Sequence, residues 1–279
     1  MRVLIHVHVF YDSLIGEIVD CVRNVESVCG IGNVTTWVTY PIDHADRLEG
    51  LCHESFPRAR FLGLPNAGYD IGPFFEVLAR EDLLAYDIVV KLHTKRDSLP
   101  MWINFRNLEG PRWRRALLSF CSSRKAAART IGMLSKHPNV GMVAGLGVID
   151  INGCAVDLGR GRIERELCRI GATGNAPMRV WGSMFAVRSS ILQRLDAHSI
   201  GDFITITEAN AHKDYGLANL YEELIPALVQ GMGFLISTGR FPLPLERSCL
   251  FVMRPVYAVV HATVACGRRF LNGRVKHKI

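Results

Sequence analysis

Runs of β-branched residues alternate with helically spaced apolar stretches over the first half of the chain. Residues 2–10 form the first run, with Val3-Leu4-Ile5 leading into His6-Val7-His8-Val9. Over residues 13–28, Leu14, Ile15, Ile18, Val19, Val22 and Val25 fall on one side of a helix, and Asp12 or Ser13 stands where a cap belongs. Asn33–Tyr40 and Arg60–Leu64 read as the second and third strands, and residues 73–85 as a helix. Asp87–His93 is a fourth strand, 124–137 a helix and Val140–Ala144 a fifth strand. A β-α-β-α rhythm predicts an α/β fold with a mostly parallel, doubly wound sheet. Ligands of such sheets bind outside the carboxyl ends of the strands.

The second half is less regular. Gly145–Gly174 is rich in glycine and charge and reads as a hairpin and loops. Val180–Val187 reads as a strand and Lys213–Gly231 as a long helix that Pro226 can kink. Phe234–Ser237 is a last short strand. No linker or internal repeat interrupts the pattern, so the expectation is one domain over 1–248 followed by an apolar and basic tail over 249–279.

That tail changes the picture of charge. The chain has a formal net charge of +7, which fits an anionic ligand without choosing among nucleotide, nucleic acid and acidic membrane. Cys249–Cys266 is apolar but is interrupted by Arg254, Pro255 and His261 and is short for a bilayer. With Arg268, Arg269, Arg274, Lys276 and Lys278 behind it, it reads either as a helix lying on an anionic membrane surface or as a helix packed on the domain with a solvated end. The eight cysteines form no CxxC pair and have no zinc-site spacing; most have apolar neighbours and read as core residues. No charged leader precedes the first strand. The expected compartment is the cytoplasm, peripheral on the inner face of the cell membrane if the tail docks.

Four segments bear on chemistry. On the fourth strand, alternation puts Lys91, His93 and Lys95 on one face and Val90 and Leu92 on the other. Buried cations need an anion, and a pyrophosphate would serve. In Leu64–Phe75, Asn66, Gly68 and Gly72 permit a tight strand-to-helix turn; Asp70 either accepts sugar hydroxyls or caps the helix. Its spacing is neither a dinucleotide fingerprint nor a Walker loop. Gly182 and Ser183 precede an apolar strand closed by Arg188. Asp214 near a helix start, and Glu222 two turns on, are candidate general bases as well as ordinary cap or surface carboxylates. His6 and His8 share a side of the first strand without further metal ligands at hand, and are read as structural or as lining of the ligand crevice.

In this order, these segments resemble the rhamnan synthesis protein F family. The matching stretches are His8-Val9-Phe10-Tyr11, Val34-Thr35-Thr36, Asn66–Phe74, Tyr86–Lys95 and Gly182–Phe185. A partial match follows at Asp214–Glu223, where Asn219 and Glu223 depart from the family pattern. The resemblance extends over roughly residues 8 to 236. It implies a Rossmann-like glycosyltransferase of the GT-A type, an inverting enzyme that transfers L-rhamnose or another hexose from a nucleotide sugar, with dTDP-L-rhamnose as the suspected donor. The acceptor it implies is lipid-linked or growing bacterial surface polysaccharide, as in O-antigen or lipopolysaccharide. Donor contacts would come from His8, Tyr11, Thr36, Asn66, Gly68, Asp70, Lys91, His93, Lys95, Gly182 and Ser183. Asp214 or Glu222 would be the base. Where many such enzymes carry a metal-binding Asp-x-Asp, this chain has Lys91-Leu92-His93-Thr94-Lys95. The expectation is therefore that cations replace the metal against the leaving diphosphate. Two rivals come from other classes: a nucleic-acid-binding protein, which would interleave aromatic and basic residues on one surface where this chain gathers its cations at a strand end and at the tail, so that no nucleic-acid partner is expected, and a non-catalytic scaffold of a polysaccharide assembly complex.

Overall fold

A computed structural model describes residues 1–96, 101–103, 106–150, 157–173, 178–209 and 216–240. They belong to one compact unit, Met1–Arg240. The expected boundary at 248 and the tail over 249–279 lie outside the described residues.

The first strand, β1 (Val3–His8), is buried at every position. Helix α1 (Ile15–Cys29) buries Ile15, Ile18, Val19, Val22 and Val25 of the expected stripe, while Leu14 falls before the helix and is not buried. Neither Asp12 nor Ser13 caps it; a 3-10 turn over Asp12–Leu14 carries the chain into the helix instead. Then come β2 (Val34–Pro41), α2 (Ala45–Ser55), β3 (Arg60–Leu64) and α3 (Ile71–Leu78). Helix α3 is apolar except for Glu76 and stops at Leu78, before the expected end at 85; Leu83–Ala85 is a separate 3-10 turn capped by Asp82. Strand β4 (Ile88–His93) is again wholly buried.

A short hairpin, β5 (Met101–Ile103) and β6 (Arg106–Leu108), leads to α4 (Gly110–Leu118), α5 (Arg124–Lys136), β7 (Val140–Ala144) and β8 (Ile149–Asp150). The glycine-rich stretch after it is not all loop. It contains α6 (Asp157–Arg169), where Ile163 and Leu167, four residues apart, are buried. Glycines and charges masked that spacing. The expected strand over Val180–Val187 is two: β9 (Arg179–Val180), which pairs with β8, and β10 (Phe185–Arg188). Gly182 at φ +78° and Ser183 at φ +51° turn the backbone between them. The remaining elements are α7 (Ser189–Leu192), α8 (Ile200–Ala209), α9 (Leu217–Gly231) and β11 (Leu235–Ser237). Helix α9 runs through Pro226 without a break.

Among the described residues, seven strands form the central sheet in the order β11-β7-β10-β4-β1-β2-β3. All pairings are parallel except those of β10, which runs antiparallel to both β4 and β7. The chain steps outward from β1 to β3 and then returns to place β4 on the other side of β1. That reversal makes a topological switch point at the carboxyl ends of β1 and β4, where ligands of open α/β sheets bind; the last residues of these strands, His8 and His93, are in register with each other.

Register also assigns faces. His6 aligns with Lys91 and Trp37, and His8 with His93 and Thr39, so these side chains share one face of the sheet. Helix α3 covers that face: the His6 and Phe74 ring centres lie 5.6 Å apart. Ile5, Val7, Thr36, Val38, Val90 and Leu92 point to the other face.

Candidate functional site

The turn from β3 into α3 places the central carboxylate. Gly68 (φ +68°) and Tyr69 (φ +53°) are both left-handed, and their conformation turns the chain so that Ile71 and Gly72 donate to the Gly68 carbonyl. A Cβ on Gly68 would lie 2.5 Å from the Phe203 ring, and one on Gly72 2.3 Å from the Ala67 carbonyl oxygen. Asp70 follows at the helix start but makes no capping bond. Its carboxylate turns under the turn instead and takes hydrogen bonds from Lys91 Nζ and Ser183 Oγ on the same oxygen, Oδ2. His93 Nε2 is 3.7 Å from that oxygen.

Lys91 has no solvent exposure, a costly position for an ammonium group. The chain itself supplies the anion that the sequence argument requires. Besides Asp70, Lys91 Nζ donates to the Ser183 carbonyl at 3.1 Å and the Ser183 hydroxyl at 3.3 Å. His93 donates through Nε2 to the Gly182 carbonyl at 2.9 Å, which fixes its tautomer. Glu222, from α9, accepts from the Gly182 amide at 3.2 Å. Four side chains from three elements thus hold the Gly182-Ser183 turn. Positive φ at a non-glycine residue is rare and tends to mark functional sites. Among the described residues it occurs at Tyr69 and Ser183, on the two sides of Asp70.

These groups are electrostatically coupled. Burial alone would raise the Asp70 carboxyl, but His93, Lys91 and Lys95, with the Lys91 hydrogen bond, hold it well below its ordinary value. Burial lowers Lys91, and Asp70 partly restores it. Burial lowers His93 to about 3 and His8 to about 4, with Asp70 opposing in both. Both rings are therefore neutral near neutral pH. Glu222 moves the other way: burial and then the Asp70 charge raise it, against Lys95, Arg179 and Lys91.

At the switch point, the Thr94 hydroxyl accepts from the amides of Phe10 and Tyr11 at 2.8 and 2.9 Å, tying the end of β1 to that of β4. Arg96 lies 5.7 Å from the Tyr11 ring centre. Lys95 is partly exposed and Arg96 exposed. The strand-end cations thus divide: Lys91 and His93 are internal supports, while Lys95 and Arg96 face outward.

The structure gathers His8, Gly68, Asp70, Lys91, His93, Lys95, Gly182, Ser183 and Glu222 along the carboxyl edge of the sheet, with Tyr11 at its lip. It does not bring Thr36 there. Side-chain alternation points Thr36 to the opposite face, where it lines a small pocket with Val19, Val22 and Phe56. Asn66 is exposed on the turn. Asp214 lies outside the described residues, and α9 begins after it at Leu217. His6 and His8 are both bound to the Thr39 hydroxyl, at 2.9 and 3.0 Å. Cys168 is exposed rather than core, whereas Cys21, Cys52 and Cys121 are buried. Sequence reasoning passed over Thr39, Thr94, Arg96 and Tyr69. Thr39 was legible from register with His8, and Thr94 from its place inside the Lys-Leu-His-Thr-Lys run.

Fold and site together define an α/β domain with a mostly parallel sheet, whose switch point gathers cations, carboxylates and two left-handed turns. The chain belongs to the rhamnan synthesis protein F family, whose profile matches residues 1–150. The segments at Gly182–Phe185 and Asp214–Glu223 lie beyond that match. Membership supports a glycosyltransferase role in polysaccharide synthesis. A comparison with curated proteins gives no match. Among solved structures, the chain is similar to core-mannan synthase A from Aspergillus fumigatus in its Mn/GDP form, at 8% identity over 85% of this chain and 70% of that one, with a TM-score of 0.28. At that score the likeness fixes neither fold nor activity.

Proposed function

We propose that the chain transfers a sugar from a nucleotide-sugar donor to a growing surface polysaccharide, with dTDP-L-rhamnose as the donor first in line. The observation that carries this reading is the Asp70–Lys91–Ser183–Glu222 cluster at the switch point, in a chain of this family. A fully internal lysine held by a carboxylate, beside a second carboxylate, is an expensive arrangement that packing alone does not require.

The donor would lie over the carboxyl ends of β1 and β4, with its diphosphate against Lys95 and Arg96. Glu222 would take the proton from the acceptor hydroxyl. Its raised proton affinity suits a base that works near neutral pH. The acceptor oxygen then bonds to the anomeric carbon as the bond from that carbon to the diphosphate oxygen breaks, in a single inverting displacement. Lys95 and Arg96 would stabilise the charge on the departing nucleoside diphosphate. Asp70 and Lys91 would be positioning residues that hold the Ser183 turn against this geometry. Asp214 remains a second candidate base.

Fold relatives of the GT-A type imply a divalent metal. Among the described residues no group of three or more His, Cys, Asp or Glu is assembled to hold one, and the end of β4 offers cations where metal ligands would be needed. The described residues at that end of the sheet do not form a ligand set for the ion.

Calorimetric titration with dTDP, UDP, GDP and CMP, first with EDTA and then with magnesium, tests the donor site. Tight binding of one nucleotide is expected, and it should survive EDTA. Glu222→Gln should lower turnover by about 10²–10⁴-fold with nucleotide affinity nearly unchanged. Failure of all four nucleotides to bind would favour a scaffold role.

A further inference from the structure

Between Gly110 and Lys136 the chain has seven arginines and lysines and no aspartate or glutamate, a segment charge equal to the +7 of the whole chain. The segment comprises α4, the connection after it and α5. Arg114 pairs with Glu17. Arg112, Arg115, Arg124, Lys125, Arg129 and Lys136 are exposed, and no ion pair engages them among the described residues.

Three of these charges are unfavourable where they stand, whereas Arg115 and Lys136 lie in the last turns of their helices, where cations are favoured. Arg112 lies in the first turn of α4, Arg124 and Lys125 open α5, and neither first turn holds an acid. A helix N-terminus carries partial positive charge and is stabilised by acids, not cations. Stability of the fold therefore does not account for Arg112, Arg124 and Lys125, and an anionic partner does. The buried side of the segment is ordinary core: Trp113, Leu117, Ala127, Ile131 and Leu134 face inward.

We infer that the α4–α5 face docks on an anionic phospholipid membrane. A surface for single-stranded nucleic acid interleaves aromatic side chains for stacking with its cations; here both aromatics of the segment, Trp113 and Phe120, are buried. The exposed cations are separated by small residues such as Ser122, Ser123 and Ala128. That pattern suits a broad surface potential rather than a shaped partner. The inner side of α4 packs on the candidate site: a Cβ on Gly182 would lie 2.5 Å from Leu117 Cδ2 and 3.1 Å from Trp113 Cζ2. Docking through the outer side would hold that site close to a membrane-borne acceptor. The docking itself does not depend on the transferase reading, because it is measured without donor or acceptor.

The test is co-sedimentation of the full chain with vesicles of phosphatidylglycerol in phosphatidylcholine, and with vesicles of phosphatidylcholine alone. Binding is expected to the first alone and should fall with salt. Each cation at such a surface contributes about fivefold to partition. Arg124→Ser/Lys125→Ser/Arg129→Ser should therefore bind roughly a hundredfold more weakly, with an unfolding temperature equal to or above that of the parent. Arg112→Ser/Arg115→Ser, on the other helix, should lose about twenty-five-fold by the same measure. Arg165→Ser/Arg194→Ser/Arg240→Ser, which removes three exposed cations elsewhere and keeps the basic C-terminal segment, should bind like the parent. Equal binding to both vesicle types would overturn the inference. So would undiminished binding of both the triple and the double variant, or tighter binding to a single-stranded DNA oligonucleotide that the triple variant loses.

Discussion

Asp70 accepts from both Lys91 and Ser183 through one oxygen, so its charge has two dependants. Removing either member of a buried ion pair leaves the other uncompensated, at a cost of about 3–5 kcal/mol, whereas removing both is often nearly neutral. Asp70→Asn and Lys91→Met should each destabilise the fold by that order, and the double variant by clearly less than their sum. Denaturant unfolding of the four proteins of this cycle measures the coupling. Additive losses would mean that Lys91 is neutral in the fold and that the pair is not ionic. At the adjoining turn, Gly68→Ala combines a left-handed backbone with a methyl placed against the Phe203 ring. The expected loss is about 2–4 kcal/mol, from roughly 1–2 for the backbone and the remainder for overpacking. Gly201→Ala, in α8, where the methyl meets the Ser199 hydroxyl at 3.4 Å, serves as the control that unfolds like the parent or slightly above it.

At the scale of elements, much of the first half of the chain was legible because β1, β2 and β4 are short runs rich in β-branched residues and α1 has a clear stripe; α2, whose buried residues are Leu48 and Cys52, carries too weak a stripe to be read. β3 and β7 fall where the periodicity puts them, and α1 within two residues. Legibility failed where one signal hid another. Charges and glycines obscured α6, and an apolar run hid the break between β9 and β10, because left-handed φ at Ser183 comes from its partners, not from its own preference. In sequence, Lys91 reads as a phosphate ligand for the same reason. Alternation gave its face, but only the fold brings Asp70, twenty-one residues earlier, beneath it. Helix α3 shows the other extreme, since its Phe-Phe pair announces burial in sequence, and Phe74 is wholly enclosed between His6, Phe185 and Phe75. Phe74→Ala should cost about 3–5 kcal/mol by calorimetric or denaturant unfolding. Leu84→Ala, on an exposed residue of the following turn, should be nearly silent.

For the molecule as a whole, one face of the sheet concentrates the ionisable groups and therefore sets how stability depends on pH. His6, His8 and His93 lie there on neighbouring strands, all three buried and all three shifted down, His8 to about 4 and His93 to about 3. An unfolded histidine binds its proton near pH 6.5. Between that pH and the folded values, the unfolded chain holds more protons than the native one, so stability must fall as pH falls. The contribution of these rings is fully present above about pH 6.5. It declines below that by about 1.4 kcal/mol per pH unit for each histidine until the folded value is reached. Asp70, held low, adds a loss of the same sign at more acidic pH, below the ordinary carboxylate range. Glu222, held high, opposes them as a single group. Urea unfolding from pH 7.5 to 4.5 should accordingly show a steep acid limb, far above the carboxylate range in which surface ion pairs fail. His8→Asn should flatten that limb by the share of one histidine and leave the plateau above pH 7 with its slope unchanged. A limb that begins only below about pH 4.5 would show that the rings are protonated in the native sheet and that the face is held by charge rather than by neutral hydrogen bonds.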